Sequence, residues 1–161
     1  MNNSIDEIFM QKALVQAKKA EEKAEVPIGA VVVFENEIIS KGRNKREISK
    51  NALLHAEIEA IDKACKKLGR WRLTGCTLYV TLEPCPMCAG AIINSRISRL
   101  VYGASDPKAG SCGSVINLFD LPYNHTPQVE SGVLKEECAE ILSSFFKKLR
   151  AKPKLQADLK A

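Results

Sequence analysis

The chain has 161 residues, 45% of them hydrophobic and 27% charged. These proportions are ordinary for a globular domain that buries enough surface to fold without a disulfide or a structural metal. They exclude a wholly disordered chain, and no apolar run approaches the ~18 residues of a membrane-spanning helix. The formal net charge is +5, and it is local: residues 147–161 carry six bases against the single acid Asp158, whereas residues 1–146 carry 18 of each. A local basic patch attracts a polyanion and gains from counterion release; from charge alone the preferred reading is a solvated helix end and tail. Residues 1–6 have neither the basic nor the apolar stretch of a secretory signal, so the cytoplasm is the expected compartment. The length suits a single domain over residues 1–152, followed by a basic tail over 153–161.

Ser4 with Glu7 reads as a capping box. It opens a helix that runs to about residue 23 on Ile5, Ile8, Phe9, Ala13, Ala17 and Ala20. Pro27 ends any helix there, and the β-branched run 28–34 reads as a strand. Glu35-Asn36 suits a tight hairpin into a second strand over 37–43. A polar loop leads to a helix over 55–68, closed by Gly69. A third strand covers 77–81, and a helix covers 86–94 with Pro86 in its first turn. A fourth strand follows at 100–102. Residues 103–126 are mostly loop around the apolar piece 115–118. A short fifth strand at 128–130 precedes a long helix over 134–150. A hairpin followed by alternating helices and strands points to an α/β sandwich with a mixed sheet.

Six cysteines are present. In a reducing compartment they are thiols, and only Cys85 and Cys88 stand at metal-ligand spacing. The other four read as small buried hydrophobes. Cys85 and Cys88 fall in the first turn of a helix, where the positive helix end favours thiolate. His55 also opens a helix, and an imidazole with two thiolates is a zinc ligand set. Three ligands leave one tetrahedral position free, the mark of a catalytic rather than a structural zinc. Glu57 lies two residues from His55, where a helix-opening carboxylate can reach the same cleft and carry protons without ligating. Two other readings stay open here. Cys112, Cys138 or His125 could complete a closed structural site in a binding module, or the Cys pair could be redox-active.

His55-Ala56-Glu57 joined to Pro84-Cys85-Pro86-Met87-Cys88 is the recognised signature of zinc nucleobase deaminases. Together with the rest of the run 77–92, it makes the chain resemble the bacterial tRNA-specific adenosine deaminases. The likeness extends to residues 26–31, Gly42-Arg43-Asn44, Ser95-Arg96-Ile97, residues 102–110 and Phe145-Phe146. It implies a cytidine-deaminase-like fold, a three-layer α/β/α sandwich with a mixed five-stranded sheet, assembled as a homodimer. It implies hydrolytic conversion of adenosine to inosine at the anticodon wobble position of tRNA, with an arginine tRNA's anticodon stem-loop as partner. It implies one Zn2+ per chain on His55, Cys85 and Cys88, a zinc-activated water, and Glu57 as proton shuttle. It further implies substrate contacts from Asn44, Asp106 and Lys108, pocket walls from Val26, Pro27, Ile28, Ala56 and Leu82, and Phe146 beside the anticodon loop. Asn44, Asp106 and Lys108 also read as turn residues. The motif core is shared with enzymes acting on free guanine or cytidine, which is the alternative reading. Leu54 stands where the family often has a small residue, at the expected pocket rim. His125 either touches RNA or caps a turn, and the second reading is preferred.

Overall fold

The structure, a computed structural model, describes residues 4–152. Ser4 caps α1 (Ile5–Glu22), its hydroxyl accepting the Glu7 N–H at 3.4 Å, and the acidic first turn (Asp6, Glu7) suits the positive helix end. β1 (Gly29–Phe34) turns back into β2 (Glu37–Arg43) through Glu35 and Asn36, which both hold positive φ (50° and 62°). That pair is the two-residue turn whose twist matches a hairpin. α2 (Ala56–Leu68) ends on Gly69 at φ 64°, the left-handed stop that glycine takes without steric cost. β3 (Thr77–Leu82), α3 (Pro86–Asn94) and β4 (Arg99–Ala104) form a crossover unit, and β5 (Gln128–Ser131) and α4 (Lys135–Arg150) complete the chain.

The strands form one sheet in the order β2-β1-β3-β4-β5. β1 is antiparallel to both its neighbours, and β3, β4 and β5 run parallel. β1 is apolar without interruption because both its faces are covered. Val31 and Val33 face α1 in a cluster with Phe9, Met10, Tyr79, Val101 and Cys138. Val32 faces the other way, with Leu78, Val80, Leu100 and the α2 and α3 residues Ala60 and Ile92. The architecture is the expected three-layer α/β/α sandwich on a mixed five-stranded sheet. Asp6 fastens α1 to the sheet: its carboxylate accepts two guanidinium N–H groups of Arg99, both at 2.7 Å, and the Tyr79 hydroxyl at 2.8 Å. The bonds from Arg99 hold Asp6 below the usual carboxylate range against the opposing effect of burial.

The loop between β4 and β5 differs from the expected plain coil. Cys112 and Asn117 form a bridge, and Leu118–Asp120 makes a 3-10 turn that buries Phe119. The Asn117 side chain caps that turn by accepting the Phe119 N–H at 3.2 Å, a local bond that competes with regular structure. Among the described residues no helix is long and apolar enough to cross a membrane. The basic tail assigned to 153–161 lies outside the described residues.

Candidate active site

α2 and α3 lie on the same face of the sheet, and their N-termini meet. His55 is the N-cap of α2 and Cys85 the N-cap of α3, both extended (φ −79°, ψ 156° and φ −73°, ψ 175°), and neither side chain caps its own helix. Both are therefore free to turn outward toward a shared point. The His55 Nδ1 lies 3.6 Å from Cys85 Sγ and 3.5 Å from Cys88 Sγ, and the three atoms are within 4.8 Å of one another. Zinc bonds of about 2.0–2.1 Å to nitrogen and about 2.3 Å to sulfur put tetrahedral N and S ligands about 3.5–3.6 Å apart. The donor set and its spacing therefore fit one zinc ion. No fourth His, Cys, Asp or Glu joins the group among the described residues. Cys112 is buried with its Sγ 4.0 Å from the Pro84 carbonyl, Cys138 is buried in the cluster on the opposite face of the sheet, and His125 Nε2 sits 2.7 Å from the Ile97 carbonyl. The closed structural site has no fourth ligand from these residues.

The electrostatics follow from the packing. The Cys88 thiol, then His55, bond to Cys85 and hold it as a thiolate, pulling its pKa down to about 4 against the cost of burial. Cys88 is pushed up by the same bond and by its own burial, so the pair shares a single negative charge. His55 is raised, chiefly by Cys85. Glu57 is 4% exposed, and desolvation pushes its carboxyl up to about 7. A carboxyl that titrates near neutrality can both take and give a proton at physiological pH.

Gly42 sets the height of α2 over the sheet. A Cβ there would sit on the Ala56 carbonyl oxygen and crowd the Ala60 backbone N–H. Two residues earlier on the same face of β2, the Ser40 hydroxyl donates to the Ala60 carbonyl at 2.6 Å. The absent side chain and the hydroxyl together seat the helix turn that carries His55 and Glu57.

A cleft of about 550 Å³ opens over this group. Val26, Ile28, Asn44, Ala56, Leu82, Asp106, Lys108 and Phe146 line it together with His55, Glu57 and Cys85. Cys88 lies fully buried behind them. Asn44 is buried; its Nδ2 donates to the Val26 carbonyl at 3.3 Å and its Oδ1 accepts the Arg46 N–H at 3.2 Å. Each end retains one further donor or acceptor position for a ligand. Asp106 Oδ1 accepts the Lys108 and Ala109 N–H groups at 3.0 and 3.3 Å, so it is a turn residue as well as a wall.

Pro27 corrects the sequence reading: it is buried and absent from the cleft lining. The Ile28 N–H donates to the Val26 carbonyl at 2.9 Å, closing a three-residue turn at Pro27, and Val26 and Ile28 line the cleft on either side of it. Leu54 is half-buried and also outside the lining, and Phe145 faces a separate hollow with Glu21 and Lys148. Sequence reasoning missed Arg46, Glu83 and the α4 residues Ala139 and Leu142, all of which line the cleft. The spacing of Ala139, Leu142 and Phe146 on one helical face was the available signal.

Residues 4–150 match the family model of the MafB19-like deaminases. The chain is 56% identical over 150 residues to the tRNA-specific adenosine deaminase of Bacillus subtilis, covering 92% of this chain and 93% of that protein. The chain belongs to the tRNA-specific adenosine deaminase family. The tRNA-specific adenosine deaminase of Haemophilus influenzae is 48% identical over 161 residues, covering 99% of this chain and 93% of its own. Among solved structures, one from a study of A-to-I editing by tRNA:A34 deaminases at the wobble position of transfer RNA superposes with a TM-score of 0.82 at 49% identity, covering 84% of this deaminase and 99% of that chain. The guanine deaminase of Nitrosomonas europaea has a TM-score of 0.76 at 25% identity, covering 86% and 83%. Both likenesses place this deaminase in the cytidine-deaminase-like fold.

Proposed function

We propose that the chain hydrolyses adenosine to inosine at the wobble position of a tRNA anticodon, an arginine tRNA's among them, acting as a zinc-bearing homodimer. The observation that carries the chemistry is the meeting of His55 Nδ1, Cys85 Sγ and Cys88 Sγ beside a buried carboxyl at the base of a cleft. The 56% identity to a tRNA-specific adenosine deaminase, against 25% to the guanine deaminase, favours the tRNA substrate over a free base.

His55, Cys85 and Cys88 would hold the zinc, which supplies a Lewis acid that makes water a competent nucleophile at neutral pH. Glu57 does the proton work. Held near neutrality by its burial, it takes a proton from the attacking water and delivers one to adenine N1. It then takes the second proton of that water from the new hydroxyl on C6 and gives it to the departing amino group, so that water and adenosine become inosine and ammonia. Val26, Ile28, Ala56 and Leu82 offer apolar contact to a flipped base, and Asn44 has a spare donor and acceptor for its polar edge. Phe146 is 40% exposed on the cleft lining, where it can stack on a neighbouring unpaired base. An anticodon loop already presents its bases unpaired, which removes much of the extrusion cost.

Mass analysis of the wobble base after incubating tRNA with the wild type and with Glu57→Ala tests this reading. The wild type is expected to convert adenosine to inosine, and Glu57→Ala to retain zinc without turnover. A zinc-loaded wild type that leaves every tRNA adenosine intact refutes it. Light scattering during gel filtration reads the dimer.

A further inference from the structure

Two glutamates inside the molecule do a task that the chemistry at the base does not use. Glu25 is 1% exposed, and its carboxylate accepts the backbone N–H groups of Ile48 at 2.6 Å and Glu47 at 3.2 Å. Glu83 is 2% exposed. Its Oε1 accepts the Asp106 N–H at 3.3 Å and the Ser114 hydroxyl at 2.5 Å, and its Oε2 accepts the N–H groups of Cys112 and Ser114, both at 3.2 Å. Gly110 packs directly on the Glu83 carboxylate, leaving no room for a Cβ. Each glutamate therefore replaces, with one side chain, the sheet or helix partners that a loop backbone lacks.

The loops they hold both reach the cleft. The loop after β2 carries Asn44 and Arg46, and the loop after β4 carries Asp106 and Lys108; all four residues line the cleft. In the sheet, β3 lies between β1 and β4, with β2 beyond β1, so the two loops rise on either side of the strand that leads into Cys85. Arg46 and Lys108 are both exposed and bring one cation from each flank. A nucleotide seated over the zinc ligands has a phosphate on each side, and loops already in place spare the ordering cost that would otherwise weaken binding.

We propose that Glu25 and Glu83 are positioning residues that preset these two loops for the nucleotides flanking the target base, governing affinity for the RNA rather than the rate of the chemical step. This rests on the RNA reading above. In Gln variants one carboxylate oxygen becomes an NH2 group facing backbone donors, so at least one N–H loses its acceptor.

The test uses the zinc-loaded full chain, an anticodon stem-loop and residue-resolved amide hydrogen exchange. Glu83→Gln is expected to speed exchange at Asp106, Cys112 and Ser114 about tenfold or more while Glu47 and Ile48 stay as in the wild type. Glu25→Gln is expected to show the reverse pattern. Each is expected to raise KM about tenfold, with kcat within about twofold and zinc content unchanged, one factor of ten corresponding to about 1.4 kcal/mol. Unchanged loop exchange, faster exchange throughout the sheet, loss of zinc, or a fall in kcat at constant KM would each overturn the proposal. Should Glu83→Gln fail to fold, Ser114→Ala removes a single donor at an exposed position; a two- to threefold rise in KM is expected, and an unchanged KM counts against the clamp. If the unaltered enzyme deaminates no RNA, the substrate reading falls, and the exchange pattern alone still decides whether the glutamates hold the loops.

Discussion

Gly42→Ala probes how the sheet sets the chemistry. The new methyl has no free space: it meets the Ala56 carbonyl oxygen and the Ala60 backbone, both in the opening turns of α2. Neither is a flexible side-chain end, so relief requires the helix start to rise by about an ångström to regain ordinary contact near 3.5 Å. Overpacking of this kind costs about 1–3 kcal/mol. At about 2 kcal/mol, a domain of this size melts roughly 4–8 °C lower. The catalytic cost is larger, because the same turn carries His55 and Glu57, and a misplacement of about 1 Å costs about 10²-fold. We expect kcat for inosine formation in an anticodon stem-loop to fall about 100-fold, with the melting temperature lowered by the amount above. Ser40→Ala is the comparison. It deletes the bond to the Ala60 carbonyl but adds no bulk, so it should cost about 1 kcal/mol of stability and leave kcat within a few-fold. Wild-type kcat in Gly42→Ala would show that the height of α2 does not control the site.

Three further outcomes are expected. Asp6→Asn should cost about 2 kcal/mol at pH 7, since Asp6 accepts charged hydrogen bonds from Arg99. Because the folded-state pKa is lowered from 3.8, that stabilisation is complete above about pH 5 and lost as pH falls below 4. Urea midpoints of wild type and variant should therefore converge in acid, and a gap independent of pH would contradict the assignment. Removal of zinc with a chelator should abolish activity and lower the melting temperature by roughly 5–10 °C, the shift expected when zinc is present at about 100 times its dissociation constant; restoration by zinc is expected, and a metal-free protein with full activity would refute the metal site. Arg150 lies one turn beyond Phe146 on the α4 face that lines the cleft. Arg150→Ala should weaken RNA binding and reduce the slope of log K against log salt by about one, and an unchanged slope would place Arg150 outside the RNA path.

The elements that could be read from the sequence are those whose signal is local. The Ser4 cap, the Glu35-Asn36 turn, the Gly69 stop and the unbroken apolar run of β1 each state their own conformation, and all stand where expected. The 3-10 turn at Leu118–Asp120 was not legible, because it depends on Asn117 bonding locally and on Phe119 finding a distant core. β4 is longer than the run 100–102 because its ends, Arg99 and Ala104, are fixed by Asp6 in α1 and by pairing with Leu82 in β3. Neither partner lies near them in sequence.

The same division explains the site. His55, Cys85 and Cys88 were visible because a metal demands particular side chains at particular spacings, and a helix start presents them outward. Pro27 was misplaced because a motif match names a segment, whereas the tight turn closed by the Ile28 N–H on the Val26 carbonyl decides which of its members faces the cleft. Glu25 and Glu83 were invisible for a different reason. Their meaning lies in backbone N–H groups 22 to 31 residues further along the chain, and backbone carries no sequence signature. A buried glutamate is costly unless its oxygens are satisfied, so two of them, each saturated by the amides of a cleft loop, are placed by the tertiary structure alone. If the loop amides of Glu83→Gln exchange as slowly as those of the wild type, this account of the second carboxylate is wrong, whatever the variant does to turnover.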